Sequence, residues 1–379
     1  MTFPEQITTR DLNLAHHATL HRLRAEGPVA WVPVVGGWVV TSRAVASEVM
    51  RDAATFTVDD PRFTTAQVIG PSMLSLDGGE HTRHRSRFAA AYRPGEITGR
   101  CAAAATAIAT RLVAEIAPRG AADLRQDLAG PLAIEVVALS IGLEHLDPFQ
   151  LRSWYDEIVA AVERISFEQP AGDAGAVAFA ELRRAVGDAL QRPDSVLRDI
   201  SGELTFDEAA ANVAVLLFGG IETGEAMIAN LLFHLLSNPD QFDLVRNDDA
   251  LIEPAIDESL RLEPAASRID RYATCDVEIG GARVRAGDLV VVSLAAANRD
   301  PATCERPDVF DVHRPNARSH VAFAQGPHAC LGAQLARIEG RAVVEAVSRG
   351  LPAITLGEHD APSGVVFRKP NRLHAQWSR

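Results

Sequence analysis

The residue best placed for chemistry is a cysteine that closes a glycine- and proline-bearing loop, Phe323-Ala324-Gln325-Gly326-Pro327-His328-Ala329-Cys330-Leu331-Gly332. Leu331, Leu335, Ile338 and Ala342 follow at near-3.6 spacing, which predicts a helix that starts at or just after Cys330. The first amides of such a helix have no intrahelical partners and point toward the sulfur. With the helix dipole they favour a thiolate over a thiol. Gly326 and Gly332 permit tight turns and the close approach of a flat ligand, and Phe323 can cover one side of the sulfur. A lone buried cysteine is commonly just a small hydrophobe, so the reading depends on its neighbours.

A second concentration of chemistry lies midway along the longest helical stretch, in Gly219-Gly220-Ile221-Glu222-Thr223-Gly224. Each glycine in a helix interior costs about 1 kcal/mol relative to alanine and needs a reason. Close backbone approach to a flat ligand is one reason, and a bulge that frees a carbonyl for water is another. Plain helix packing is the third. Glu222 and Thr223 put a carboxylate and a hydroxyl where protons can be delivered. Elsewhere Glu258 and Arg261, at i,i+3, can pair on one helix face, with Arg314 farther on in Phe310-Asp311-Val312-His313-Arg314-Pro315. His81 and Arg85 stand at i,i+4 in a helix opened by Asp77-Gly78-Gly79-Glu80.

Together these stretches resemble the cytochrome P450 family. With Phe at −7, Gly at −4, His at −2 and Gly at +2, the Cys330 loop is similar to the family's haem-ligand loop. Ala324 departs from it, where the family often has glycine. Gly219 to Thr223 resembles the oxygen-activation motif of glycine, acid and threonine, and Gly224 departs from the Thr, Ser or Val more often found next. Glu258, Arg261 and Arg314 resemble the family's Glu-Arg-Arg network, which supports the haem loop and takes no part in catalysis. His81 and Arg85 resemble its His-x-x-x-Arg, and with Arg271 and His328 they would meet the two haem propionates.

The resemblance covers His81 to Phe367. It implies a mostly α fold with a minor β sheet, one domain over residues 1–379, and haem b with Cys330 as axial ligand of the iron. The activity implied is an O₂-dependent monooxygenase that hydroxylates or epoxidises a hydrophobic small molecule of natural-product metabolism, with Glu222 and Thr223 relaying protons. Electrons would come from a ferredoxin and ferredoxin reductase fed by NAD(P)H, since the chain has no flavin or iron–sulfur motif of its own. Val68, Ile69, Val215, Phe218, Ala266 and Val365 are the expected substrate pocket. Arg83, His84, Arg87, Arg337 and Arg341 are a candidate basic face for an acidic partner. The alternatives are a peroxide-using haem enzyme (peroxygenase or decarboxylase), for which an acid–alcohol pair is unnecessary, and a catalytically silent haem protein that binds or presents a substrate.

Composition agrees with this frame. The chain has 379 residues, 47% hydrophobic, with a net charge of −13, which argues against nucleic acid as a partner. Its four cysteines, Cys101, Cys275, Cys304 and Cys330, form no CxxC pair, as expected in a reducing compartment. Met1 to Gln6 lacks the basic and apolar parts of a signal peptide, and no uninterrupted apolar run reaches bilayer length, so a cytoplasmic protein off the membrane is expected. The basic residues are arginine throughout, with Lys369 the only lysine.

The elements that must position these residues are mainly helices: 12–26, 43–51, 80–116 broken at Pro94-Gly95, 132–141, 148–165, 176–191, 205–237 and 249–262. Thr205 and Glu208 form a capping box for the longest, which would span about 50 Å. The break from Glu168 to Gly172 reads as a hinge. β structure is expected around 28–42 and 277–292, with a last strand-like piece at 365–367. Phe56 to Ser75 has no period and reads as a long loop.

Overall fold

The computed structural model describes residues 2–166, 169–193, 195–198 and 204–378. Its axis is the core helix Phe206–Ser237. Thr205 opens it by accepting from the Glu208 amide, and the Glu208 carboxylate takes the Thr205 amide at 2.8 Å. The helix is buried without interruption from Ala209 to Val215 and again from Gly224 to Leu232. It is apolar all round because other helices surround it. Gly130–Ser140, Ile252–Leu262 and Ala333–Gly350 pack on it, and Pro94–Ile116 runs along Ala333–Gly350.

That packing accounts for the apolar composition of the core helix. Pro94–Arg119 and Phe206–Ser237 are long and apolar enough to cross a bilayer by composition alone. In the core helix two-thirds of the qualifying window, 67%, is buried in the fold, so its hydrophobicity is spent on neighbouring helices.

A five-stranded sheet flanks the helices in the spatial order Val29–Val32, Gly37–Val40, Leu289–Ser293, Arg268–Ala273, Phe56–Thr57. Only the pairing of Gly37–Val40 with Leu289–Ser293 is parallel. Arg268–Ala273 sits inside this sheet although its sequence, Arg-Ile-Asp-Arg-Tyr-Ala, shows little alternation. Cross-strand pairing with Leu289–Ser293 overrides that weak signal. The expected final strand at 365–367 is only a bridged segment, Ala266 to Phe367, and the true last strand is Leu373–Gln376, central between Ala121–Asp123 and Thr355–His359.

Further differences are local. The first helix is two, Thr9–Leu14 and His16–Glu26. The expected loop 56–75 contains the helix Thr64–Ile69, which packs on Pro148–Ser166. A helix at Pro239–Asn247 follows the core helix at once, because Pro239 sits at its first position, where no amide is needed. In the proposed hinge, Glu168 lies outside the described residues.

Candidate active site

One backbone bond closes the cysteine loop, from the Cys330 amide to the Phe323 carbonyl at 2.8 Å. The chain turns through positive φ at Ala324 (55°) and Gly326 (76°). A Cβ on Gly326 would stand 2.3 Å from the Met50 carbonyl oxygen. This glycine therefore lets the loop press on the end of the helix Arg43–Arg51, a reason different from the flat ligand expected for it. Ala324 holds a left-handed conformation that costs an L-residue about 1 kcal/mol and that glycine adopts freely. The helix begins at Ala333, slightly later than expected, with Gly332 at its cap.

Burial pushes the Cys330 thiol up, against the pull of the Gly332 amide, which donates to Sγ, and of the Arg85 and Arg337 guanidiniums. The expected preference for thiolate is thus outweighed in the chain alone; a bound metal ion deprotonates a coordinating thiol outright. Cys330 keeps exposed surface although it closes a loop packed against the rest of the fold. A Cβ on Gly332 would meet nothing nearer than this sulfur, at 3.9 Å. The Phe323 ring is held between the Arg337 guanidinium, 4.9 Å from its centroid, and the His320 ring at 5.5 Å.

A haem bears two carboxylates, and the candidate residues suit them to different degrees. His81 is 5% exposed and its Nε2 has no partner. Burial, with His328 and Arg85 nearby, pushes it down to about 4, so it is a neutral imidazole. Arg271 is equally buried and donates only to the carbonyl of Asp270, at 2.8 Å. Among the described residues no carboxylate bonds to it, Asp77 and Asp270 acting on it only through their charge, so its buried donors are left short of partners. Arg85 reaches the Ala329 carbonyl next to Cys330. These three fit anionic oxygens of a haem.

His328 is different, because its Nε2 is 2.7 Å from Asp77 Oδ1 while its ring lies 4.3 Å from that of His81. Asp77 was missed from sequence, where an acid before Gly78 reads as an ordinary helix cap. Burial works to raise it, but His328, the Thr57 hydroxyl and the Val58 amide outweigh that and hold it down to about 2. His328 therefore orients His81 through ring contact and is itself committed to Asp77.

On the core helix the two glycines separate. A Cβ on Gly219 would meet nothing within 4 Å, and Gly219 is exposed in the middle of a buried helix. It faces open space, as a helix passing over a flat cofactor would. A Cβ on Gly220 would lie 2.3 Å from Val137 Cγ2, so Gly220 serves the contact with Gly130–Ser140 and not a cofactor. Gly224 is likewise packed: a Cβ there would stand 3.2 Å from Ala133 Cβ and 3.4 Å from Glu339 Oε2. The helix stays α throughout, without the bulge that its glycines would permit, and the Thr223 hydroxyl donates to the Gly219 carbonyl. Glu222 Oε2 accepts from the Tyr155 hydroxyl at 3.0 Å and Oε1 from Lys369 Nζ at 2.9 Å. Burial and the Glu222 carboxylate push the Tyr155 phenol far up, so it is a permanent donor.

Beneath the cysteine loop Glu258, 0% exposed, receives Arg261 Nε at 2.7 Å and Arg314 Nε at 2.9 Å. The Asp311 amide is a third partner, at 3.0 Å. Both guanidiniums go on to cap carbonyls, Arg261 those of Pro307 and Asn298, Arg314 those of Glu305 and Val309. The network thus ties the helix Ile252–Leu262 to the chain that leads into the loop.

Of the expected pocket, Val215 and Phe218 lie on the core helix, and the Phe218 ring meets that of Tyr155 at a tilt (6.1 Å) and that of Phe367 edge-on (5.6 Å). Val68 and Ile69 lie on the helix Thr64–Ile69, and Ala266 bridges to Phe367. Val365 does not join them; it packs with Leu12, Val39 and Val291 in the N-terminal cluster. The expected basic face is largely neutralised. Arg83 pairs with Glu80 and Glu208, Arg337 with Asp257, Arg341 with Glu253 and Glu345, and His84 is buried against Asn212.

The family model for cytochrome P450 matches residues 190–347. The chain is 32% identical to the cytochrome P450 monooxygenase PikC of Streptomyces venezuelae, over 94% of this chain and 88% of that protein. It is also 32% identical to nocardicin C N-oxygenase of Nocardia uniformis subsp. tsuyamanensis, over 94% of each. Among solved structures it is similar to CalO2, with a TM-score of 0.87, 28% identity and 95% of both chains covered.

Proposed function

Because this chain belongs to the cytochrome P450 family and is a monooxygenase of that family, we propose that it holds haem b through Cys330 and inserts one oxygen atom of O₂ into a hydrophobic natural-product intermediate. The observation that carries this reading is the exposed Cys330, with the Gly332 amide donating to its sulfur and the Arg85 guanidinium nearby, together with His81 and Arg271, whose buried donors are short of partners. When bound, the thiolate-ligated haem iron supplies O₂ activation, the sulfur pushing electron density that favours O–O cleavage.

The chain's own residues do the rest. His81, Arg85 and Arg271 take the propionates. Gly219 leaves open space beside the core helix where the group would fit, and Phe218, Phe367 and Tyr155 would present aromatic walls that suit a medium or large apolar substrate. The Thr223 hydroxyl spends its proton on the Gly219 carbonyl, which leaves its lone pairs to hold an incoming water. Glu222, one residue away, can refill that water with a proton.

Thr223→Ala is therefore expected to bind substrate and consume O₂ as the parent does, while releasing most of the electrons as hydrogen peroxide. Product per electron should fall by about a hundredfold, the lower reach of a positioned proton-transfer group. The measurement is product against peroxide released, with substrate and redox partners supplied. A Thr223→Ala enzyme that couples as well as the parent would remove the hydroxyl from the relay. A parent that makes product from peroxide but never from O₂ and electrons would favour the peroxide-using alternative.

Electrons arrive from an acidic ferredoxin, reduced by NAD(P)H through its reductase. With the expected basic face neutralised, the better candidates are Arg51 and Arg318, exposed and without an ion pair among the described residues. Arg51 borders the cysteine loop, its Cα 3.0 Å from a Cβ on Gly326, and Arg318 precedes Ser319, whose carbonyl binds Arg43. Charge reversal at both should raise the KM for ferredoxin roughly tenfold at low salt and leave substrate affinity unchanged. An unchanged KM would move the docking face elsewhere.

A further inference from the structure

Asn212 is the one polar residue of the core helix between Ala209 and Phe218, and it is fully buried. Its partners fix the orientation of its amide. Oδ1 accepts from the Met73 amide at 2.8 Å, a group that can only donate. Nδ2 donates to the Glu208 carbonyl at 2.7 Å, a group that can only accept. The second hydrogen of Nδ2 goes to the buried His84, at 2.9 Å from Nδ1, so that ring nitrogen carries no proton. One side chain thus ties the core helix both to the helix Gly78–Ala89 and to the segment before it.

That segment has few polar ties. Among the described residues, the Met73 amide makes the one hydrogen bond by which residues 65–75 reach another helix. The others are local: Gln67 turns back to the Pro61 carbonyl, and Ser72 and Ser75 close a turn on each other at 3.0 and 3.1 Å.

The place of Asn212 on the helix gives this clamp its consequence. Asn212, Leu216, Gly219 and Thr223 follow at spacings of four, three and four, so they share one stripe of the core helix. The stripe is closed at Asn212, half-buried at Leu216 and exposed at Gly219, where a Cβ would meet nothing within 4 Å. Met73 therefore stands at the end of the open stretch, about 10 Å along the axis from Gly219.

We propose that Asn212 is a positioning residue for substrate length: by clamping the Met73 amide it fixes residues 70–75 as the end wall of the substrate space along the core helix. This rests on the reading above, in which haem and substrate lie against the Gly219 stripe. Without the clamp the segment keeps its apolar packing, and the wall can retreat before a longer guest.

A molecular ruler in the haem-loaded protein tests this. n-Alkylimidazoles of increasing chain length bind the open side of the haem through a ring nitrogen and lay their chain in the space beside it. The haem absorption band reports their affinity. In the parent, affinity should rise with chain length and then fall once the chain meets the wall. Asn212→Leu keeps the volume and gives up the hydrogen bonds. There the fall should move to longer chains, and the ratio of long-chain to short-chain affinity should rise roughly tenfold, the scale of one buried hydrogen bond. Asn212→Asp keeps the oxygen that Met73 uses and should stay near the parent. Hydrogen exchange should quicken at residues 65–75 in Asn212→Leu. If it does not, or if it does while the length preference stays, the end-wall role is wrong and the reading of the site stands. An Asn212→Asp protein that matches Asn212→Leu would likewise take the effect away from the Met73 bond. Should Asn212→Leu fail to load haem, the same two readings on protein with an ester in place of the Met73 amide decide, because that change removes one donor and no side chain. A haem-loaded parent whose affinity ignores chain length altogether has no substrate space along this stripe, and the reading beneath fails with the inference.

Discussion

Glu258→Ala should yield almost no haem-loaded protein. The carboxylate is fully enclosed and answers two guanidiniums that are 3% and 5% exposed. Removing it leaves two buried cations facing each other across an empty site, a loss on the order of 3–5 kcal/mol. Folded domains have only about 5–15 kcal/mol in reserve, so a large part of the stability goes at once. The damage is aimed, because the arginines hold the carbonyls of Glu305, Pro307 and Val309 on the way to the cysteine loop. Haem retention should therefore fail along with the melting temperature. Arg83→Ala is the matched control: it also removes a residue with two carboxylate partners, but one on the outside of the molecule. The ratio of haem to protein absorbance in the two purified variants checks this. Equal loading would mean that the buried network contributes no more than a surface ion pair.

Much of the site was legible in sequence because its residues lie close together along the chain. Cys330 with its loop, Glu222 with Thr223, and Glu258 with Arg261 are each local patterns whose geometry follows from helix spacing and turn chemistry. What escaped depends on distant partners. Asp77 meets His328 across 251 positions and Lys369 meets Glu222 across the whole distance from the core helix to the C-terminal segment, and nothing in the local sequence of either announces the pairing. The glycines show the same limit. From sequence Gly219 and Gly220 are equivalent, yet one faces open space and the other the side chain of Val137, a distinction that belongs to the neighbouring helix. The basic face failed for a related reason: its arginines were counted without the acids that Ile252–Leu262 and its neighbours bring to them. In the sheet, Arg268–Ala273 is a strand by virtue of its partners and not of its own pattern.

Cys330→His should abolish turnover while leaving a folded protein that still binds haem. The donors proposed for the propionates, His81, Arg85 and Arg271, are unchanged in this variant, and so is the Glu258 network. An imidazole in place of the sulfur removes the electron push that favours O–O cleavage. A loss of at least about a hundredfold in kcat, or about 2.7 kcal/mol of barrier, is expected. The two proteins also differ in a property that needs neither substrate nor redox partner. Reduced under carbon monoxide, the parent should show the red-shifted Soret band that a thiolate ligand gives, and Cys330→His the ordinary band of an imidazole-ligated haem. A correctly folded, haem-loaded parent whose carbonyl complex shows the imidazole-type band would contradict the assignment of Cys330 as the ligand, and with it the function built on that sulfur.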